Sequence, residues 1–313
     1  MGVLTMKWKI HRLQVTLEEQ AQRLDQYIAG SSIEVSRTQA KKIIDLGGVH
    51  HNGRRVRSCS VSVCVGDLIE VYIDHLSLDP YRIKQSDILF QDQFIIVLNK
   101  PALVDTQPTH ARFKGTLFEA LQWHLKDPFR PHQKAEIGMV QRLDRGTSGI
   151  IVFSIHPRAH KEMTRIFLEH QVNKSYLALV HGAPESDHGE IKSLLARSRK
   201  ENRVKSVIKG GKEAITRFQL VENLEGYSLL DIKILTGRSH QIRAHMAEQG
   251  CPLVGDVRYG GISKVAGMEI PRPLLHATKL AFRHPVLDQD MVFNLPLAED
   301  MQNIVSHLRK SFS

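Results

Sequence analysis

The apolar residues of this chain are gathered in short runs, and that pattern limits the folds open to it. The two strongest runs, FIIVL at 94–98 and GIIVF at 149–153, are five residues long. This is the length of a β-strand, far below the roughly 20 apolar residues of a membrane-spanning helix. With 42% hydrophobic and 24% charged residues among 313, the sequence predicts a soluble globular protein with buried strands and no membrane association.

The first 80 residues indicate a small unit of two helices followed by short strands. Thr16 with Glu19 forms a capping box ahead of apolar residues at helical spacing, which predicts a first helix from residue 17. A second box, Ser36 with Gln39, opens RTQAKKIIDL as another helix. Asn52–Gly53 fits a hairpin turn, and alternation in VSVCVGDLIEVYI continues the strands. We therefore expect an ααβ domain.

Basic residues are concentrated in this small unit. Arg37 and Lys41 lie four positions apart on the second predicted helix, hence on one face. The basic residues of the helix, or those of the hairpin, could each form an ordinary solvated face when taken alone. The two clusters together predict a phosphate-binding surface. Its residues are Arg37, Lys41, Lys42, Arg54, Arg55 and Arg57. The arrangement resembles the alpha-L RNA-binding domain first known from ribosomal protein "S-four", and we assign it to residues 13–78.

Residues 84–313 read as a larger mixed domain, so the fold class is α+β with mainly antiparallel strands and helices packed on them. SGIIVFSI, KSYLALVHG and YSLLDIKILTG are predicted strands, and SHQIRAHMAEQG is a predicted helix. Residues 197–217 contain eight Lys or Arg against two Glu and little apolar content. That stretch is predicted to be a long cationic loop or an irregular hairpin.

The cysteine pattern favours a reducing compartment. The chain has three cysteines, an odd number without paired metal-ligand spacing. Cys59 and Cys64 flank the alternating SVSV, which predicts buried thiols. The N-terminus has no apolar stretch of signal-peptide length. We expect a cytoplasmic protein with no metal site.

Several common catalytic patterns are missing from the sequence. It has no Walker-type glycine loop, no G-x-G-x-x-G after a strand and no G-x-S-x-G elbow. His240 and His245 are five apart, which places them off one helical face and argues against a metal pair. A concentrated polar set remains: RLDR at 142–145, Tyr176 in KSY, and GRSHQIR at 237–243.

Taken singly, each of these residues has an ordinary structural explanation. Asp144 can brace a turn, Tyr176 can be a packing residue of a strand, and Arg243 can form a surface ion pair on a helix. Ser239 can be the N-cap of that helix, with Arg238 solvated just outside it. Spacing alone does not decide between these explanations and a catalytic site.

The combination of motifs is more specific than any member. RLDRGTSG, NKSYLALVHG, LTGRSHQIRAHMAEQGCPLVGDVRYGG and LLHATKLAFRHP occur in one order, preceded by NKPA at 99–102. Over residues 86–297 the chain resembles the RluA-type pseudouridine synthase family. Members with an attached alpha-L domain resemble the branch that modifies large-subunit ribosomal RNA. The resemblance implies an RNA isomerase that needs no cofactor. We expect the chain to act as a monomer without an obligate protein partner.

Site roles carry over from this resemblance by motif position. Asp144 would be the catalytic aspartate, and Arg142 would enter the RNA stack and hold out the flipped uridine. Tyr176 would stack on the target base and assist the proton step, while Arg243 would pair with Asp144. Arg238 would contact the RNA. Arginine suits base displacement because its planar guanidinium both stacks and donates hydrogen bonds.

The sequence also departs from the family pattern. Gln141 replaces the usual His before Arg-Leu-Asp, which puts any acid–base role at that position in doubt. Gly146 replaces an often acidic residue, and Leu103 with Asp105 replaces the usual Gly-rich stretch after KPA. The open alternatives are a synthase acting on transfer RNA, a non-catalytic RNA-binding or ribosome-assembly protein with the same fold, and a base-excising glycosylase.

Overall fold

A computed structural model describes residues 9–130, 132–198, 201 and 203–311 of the chain. Among these residues the chain packs as two compact units. The first, here the N-terminal unit, takes in 9–83 and 104–134, and the second, the larger unit, takes in 84–103 and 135–311. Within the described ranges, no helix is long and apolar enough to cross a membrane.

The N-terminal unit is a four-stranded antiparallel sheet packed with helices, in the order β1-β4-β2-β3. Its core joins Leu24 and Ile28 of the first helix to Ile44 of the second and to Ile69 and Val71 of the sheet. The elements are β1 (Lys9–Gln14), α1 (Leu24–Gly30), α2 (Arg37–Leu46), β2 (Val49–His51), β3 (Arg54–Val56), β4 (Leu68–Ile73) and α3 (Leu117–His124).

Local signals predict α2 and the hairpin, but not the start of α1. Ser36 caps α2 with its side chain accepting from Gln39 N, and Asn52 and Gly53 both take positive φ in the β2–β3 turn. The first helix begins later than predicted. Only a 3-10 turn covers Leu17–Glu19, because Ala21 takes φ +65° and its N–H bonds the carbonyl of Val63 instead of continuing the helix.

The thiol prediction is wrong for Cys64, which is exposed, while Cys59 is half-buried and Cys251 is buried. No named strand covers the SVSV stretch between the first two cysteines. Alternation there does not bury one face, because the chain at Val63 bonds the loop before α1 and only Val63 is fully buried in the core.

Residues 104–134, which the sequence assigns to the larger domain, pack with the N-terminal unit. The buried Arg112 donates from Nε and Nη2 to both carboxylate oxygens of the buried Asp74 and from Nη2 to the carbonyl of Ser77. The backbone N–H of Phe113 bonds the carbonyl of Leu46. Nothing in the local sequence of this segment signals these contacts, because both partners are far away along the chain.

The larger unit is built on a ten-stranded sheet in the described part of the chain, with the order β10-β9-β11-β12-β8-β15-β7-β6-β5 and β16 paired to β15. Neighbours are antiparallel except β15 and β7. The elements are β5 (Ile88–Gln91), β6 (Ile95–Lys100), β7 (Ser148–Ser154), α4 (Pro157–Leu168), β8 (Asn173–His181), β9 (His188–Ser198), β10 (Arg203–Ser206), β11 (Lys212–Asn223), β12 (Tyr227–Ile234), α5 (Gln241–Glu248), β13 (Lys264–Val265), β14 (Met268–Glu269), β15 (Leu275–Arg283), β16 (Asp290–Asn294) and α6 (Glu299–Ser311). The expectation of a mixed, mainly antiparallel α+β domain is confirmed.

The cationic stretch 197–217 is more regular than predicted. Its described residues include the end of β9, all of β10 and the first half of β11, paired in register from Arg203 with Ser198 to Arg217 with Glu190. The charges mark the solvent face of these strands, where the lysines and arginines lie beside glutamates. Val204 and Ala214 are buried and alternate with exposed charged residues. Because charged residues are so frequent in this stretch, that alternation is not evident from the sequence.

Candidate active site

The turn before β7 presents Asp144 to a cavity. Thr147 N donates to the carbonyl of Asp144 at 3.0 Å, and the buried Arg272 donates from Nη1 to the carbonyl of Gly146 at 3.0 Å. Gly149 then fixes β7 against β15, because a Cβ at this position, with φ +110°, would lie 2.2 Å from the carbonyl oxygen of Ala277. The Asp144 side chain is held at this edge and stays 29% exposed.

Arg243 on α5 joins Asp144 to a second, buried carboxylate. Its Nη1 donates to Asp144 Oδ2 at 3.0 Å. Its Nε and Nη2 donate to the two oxygens of Asp256 at 2.5 and 2.8 Å. The pairing of Arg243 with Asp144 matches the contact expected from the sequence resemblance, and Asp256 fixes the guanidinium from behind.

The start of α5 is anchored by a buried amide. Gln241 accepts through Oε1 from Thr236 Oγ1 and from the backbone N of Arg238, and donates through Nε2 to the carbonyl of Ile215 and to Thr216 Oγ1. Two of these hydrogen bonds tie the first residue of the helix to β11, and the other two tie it to the segment between β12 and α5. They thereby position Arg243, two residues later in α5, beside Asp144.

The local charges favour an ionised Asp144. Burial acts to raise its carboxyl pKa, but the imidazole of His240 and the guanidinium groups of Arg243 and Arg142 outweigh it, so the pKa lies below its ordinary value. Burial together with the charge of Asp144 raises the pKa of Tyr176 well above its ordinary value, so the phenol keeps its proton. The site thus pairs an ionised carboxylate with a protonated phenol.

These groups line one cavity of about 430 Å³, within the range of small-ligand sites. Tyr176 reaches it from β8 and is 7% exposed. Arg142 is exposed at the rim and donates from Nη2 to Ser239 Oγ at 3.4 Å. The polar and charged lining residues are Gln141, Arg142, Asp144, Thr147, Thr164, His170, Lys174, Tyr176, Arg238, His240, Gln241 and Arg243.

Asp256, His240 and Lys174 are among the polar members of the site that the sequence did not indicate. Asp256 forms the second ion pair of Arg243, His240 lies 3.8 Å from Asp144 through Nε2, and Lys174 lines the cavity with its pKa lowered by burial. Asp256 lies in GDVRYGG, which belongs to a motif of the family resemblance but receives no role from it. Its burial next to Arg243 depends on tertiary packing, so spacing carried no signal for it.

The predicted cap of α5 is wrong. The N-cap is His240, which takes φ +53°, and Ser239 instead receives the contact from Arg142. Arg238 also has a partner, since its Nε donates to the carbonyl of Glu213 at 2.8 Å. Arg238 and Arg142 both remain at the cavity.

The six basic residues predicted on the N-terminal unit fall into two groups. On α2, Arg37 and Lys41 lie 2.8 and 3.9 Å from Asp25, and Lys42 lies 2.9 Å from Asp79, with their side chains about half exposed. At the hairpin the arginines are Arg54, Arg55 and Arg57. Arg54 and Arg57 are exposed, Arg57 lies over the ring of Phe113, and the half-buried Arg55 donates to the carbonyl of Thr109.

Comparison with known proteins gives the family to which this sequence is similar. The profile of RNA pseudouridylate synthases matches residues 94–248, and that of the S4 domain matches residues 22–69. An uncharacterized RNA pseudouridine synthase of Bacillus subtilis, YlyB, is 31% identical, over 94% of this chain and 96% of its own. A ribosomal large subunit pseudouridine synthase D of Zymomonas mobilis is 32% identical, over 92% of this chain and 95% of its own.

The fold also matches a solved structure. Human RNA Pseudouridylate Synthase Domain Containing 4 aligns with a TM-score of 0.58 and 22% identity, over 71% of this chain and 92% of that chain. Relatives more than 30% identical over nearly the whole chain, with the family match, identify this chain as an enzyme that isomerises uridine in RNA. This chain belongs to the RNA pseudouridylate synthase family, in its RluA-type branch with an N-terminal S4 domain.

Proposed function

We propose that this synthase modifies large-subunit (23S) ribosomal RNA and that Asp144 is its catalytic residue. The observation that carries the catalytic part is the hydrogen bond of 3.0 Å between Arg243 and Asp144 at the wall of a cavity that also contains Tyr176. The RNA class is supported by the relatives of Zymomonas mobilis and Vibrio cholerae, both named ribosomal large subunit pseudouridine synthase D.

The reaction breaks the bond between ribose C1′ and uracil N1, turns the base, and joins C1′ to C5. The proton that leaves C5 balances the one gained at N1, so no redox partner or transferred group enters. Asp144 acts on the ribose as nucleophile, as base, or as both in turn. Tyr176 stacks on the displaced uracil, and its protonated hydroxyl serves the proton step.

The uridine must leave its stack before it reaches the cavity, which costs a few kcal/mol. Arg142 is exposed at the rim, so its guanidinium fills the space that the base vacates. The basic residues of the N-terminal unit, with Arg238 at the cavity, bind RNA phosphates. The chain acts as a monomer in the cytoplasm in this proposal.

Pseudouridine mapping tests the proposal. Ribosomal and transfer RNA from cells with and without the gene are compared position by position, and the purified protein is then incubated with unmodified transcripts of the RNA that changes. We expect a site in large-subunit RNA to lose pseudouridine in the deletion and to regain it in vitro. Loss confined to transfer RNA would replace the substrate assignment, and loss nowhere would favour the non-catalytic alternative.

A further inference from the structure

His240 occupies a backbone conformation that its side chain does not favour. It takes φ +53°, ψ 20°, the left-handed region that glycine adopts without cost. Non-glycine residues held there are concentrated at functional sites, where surrounding contacts maintain the strain. A glycine would adopt this N-cap conformation with less strain than histidine, so the backbone conformation alone does not account for the imidazole.

The imidazole is oriented by a tyrosine that is itself fixed. Tyr259 is 6% exposed, and its hydroxyl oxygen accepts from the backbone N–H of Val204 at 2.8 Å. The same oxygen lies 3.0 Å from His240 Nδ1. The hydroxyl also has a proton that it can donate to Nδ1. When Nδ1 accepts this hydrogen bond, the neutral imidazole carries its own proton on Nε2.

The Nε2–H group then faces the reacting centre. Nε2 lies 3.8 Å from Asp144 Oδ2, too far for a hydrogen bond, and His240 lines the same cavity. Burial, with the nearby Arg243 and Arg258, outweighs the charges of Asp144 and Asp256, which act to raise the pKa of His240, and lowers it to about 4, so the ring is neutral near pH 7. A neutral donor beside Asp144 adds a hydrogen bond without adding another permanent cation to Arg243 and Arg142.

We propose that His240 is a catalytic residue whose Nε2–H, oriented by Tyr259, donates to a ribose oxygen of the flipped uridine. This inference rests on the proposed function, because Asp144 must meet the ribose at C1′ or C2′. His240, which lies beside Asp144 Oδ2, then faces the ribose and not the far edge of the uracil base. The hydrogen bond holds the ribose against Asp144 while the glycosidic bond breaks and re-forms.

The test compares His240→Gly with His240→Gln. Glycine removes the donor and relaxes the backbone, so its unfolding midpoint should stay within about 4 °C of wild type. Its single-turnover rate should fall by about 100-fold, with RNA affinity changed by less than about threefold. Glutamine retains an N–H of similar reach and should recover at least about tenfold of that loss. A glycine variant within about threefold of the wild-type rate would overturn the proposal.

A second measurement does not depend on activity. Nitrogen-15 spectra of histidine-labelled protein at pH 7, assigned by the signals that disappear in His240→Gln, should show the Nε2–H tautomer at His240. In Tyr259→Phe this tautomer preference should weaken. A protonated ring or an Nδ1–H tautomer in the wild type would overturn the proposal. If the wild-type protein forms no pseudouridine at all, the proposed function fails, and the tautomer result still stands separately.

Discussion

Arg243 donates from Nη1 to Asp144 Oδ2 over 3.0 Å while its other two donor nitrogens hold the buried Asp256. Asp256 neutralises part of the guanidinium charge and fixes the plane of the guanidinium group. The cation that contacts Asp144 is therefore held in one orientation. Arg243 therefore immobilises the carboxylate and, together with His240 and Arg142, favours its ionised form. Both properties suit a group that must attack or deprotonate a ribose held in a cavity.

Removing Asp256 should destabilise the protein. Asp256→Ala leaves the buried Arg243 with half of its carboxylate partners, and breaking a buried pair costs about 3–5 kcal/mol of unfolding free energy. The control is Glu190→Ala, which breaks an ion pair whose side chains are 44% and 57% exposed and should cost no more than about 1 kcal/mol. Urea unfolding measures both. Equal losses in the two variants would contradict the role of Asp256.

Replacing Arg243 should move the acid limb of the rate profile. In the wild type the pKa of Asp144 lies below its ordinary value. The enzyme should therefore lose activity only when the pH falls through that lowered value and the carboxylate becomes protonated. In Arg243→Gln, burial gains the larger influence and raises the pKa. The variant should therefore lose its remaining activity at a higher pH than the wild type. Profiles of kcat/KM from about pH 4 to 8 that superimpose after scaling would contradict this explanation.

Truncating Arg142 should affect structured RNA most. If the Arg142 side chain replaces the flipped base in the RNA stack, the Arg142→Ala enzyme loses this help in unstacking the target uridine of a structured RNA. An unpaired uridine is already accessible and needs no such help. We expect about a 100-fold loss of single-turnover rate on a stem–loop containing the target and less than about tenfold on the same sequence in an unstructured strand. Arg283→Ala, a surface arginine paired with Asp288, is the control. Equal losses on both RNAs would argue against base displacement.

The hairpin arginines of the N-terminal unit should contribute to the salt dependence of binding. Arg54 and Arg57 are exposed, and the slope of log affinity against log salt falls by about 0.9 for each phosphate that a protein ceases to neutralise. The double alanine variant should weaken binding at low salt and reduce the slope by about 2. The control is the double variant Arg165→Ala with Arg283→Ala, which removes the same amount of charge from two arginines paired with carboxylates. An unchanged slope in the first variant would exclude the hairpin from the RNA surface.

The sequence predicts features whose signals are local. The capping box of Ser36 and Gln39 places α2, and Asn52–Gly53 places the first hairpin, because neighbouring side chains decide both structures. The pairing of Arg243 with Asp144 follows from the order of motifs and not from spacing. It needs two loops brought together by the sheet, and no local rule encodes that contact.

Other features depend on partners far away along the chain. Arg112 packs with Asp74, which draws 104–134 toward the N-terminal unit, while the domain limits 13–78 and 84–313 remain predictions. Leu103, at the position where the family usually has glycine, takes φ +64°. Composition gives no sign of that strain. The strained backbone of His240 is equally hidden, since a histidine in GRSHQIR reads as an ordinary helix-start residue.

The most direct test of the catalytic assignment is pseudouridine formation by Asp144→Asn. Asparagine keeps the size of the side chain and its contact with Arg243 but cannot act as nucleophile or base. On an unmodified transcript that the wild-type protein modifies, we predict no pseudouridine above background, no free uracil, and RNA affinity within about threefold of wild type. Formation of pseudouridine by the variant at more than about a tenth of the wild-type rate would contradict the account.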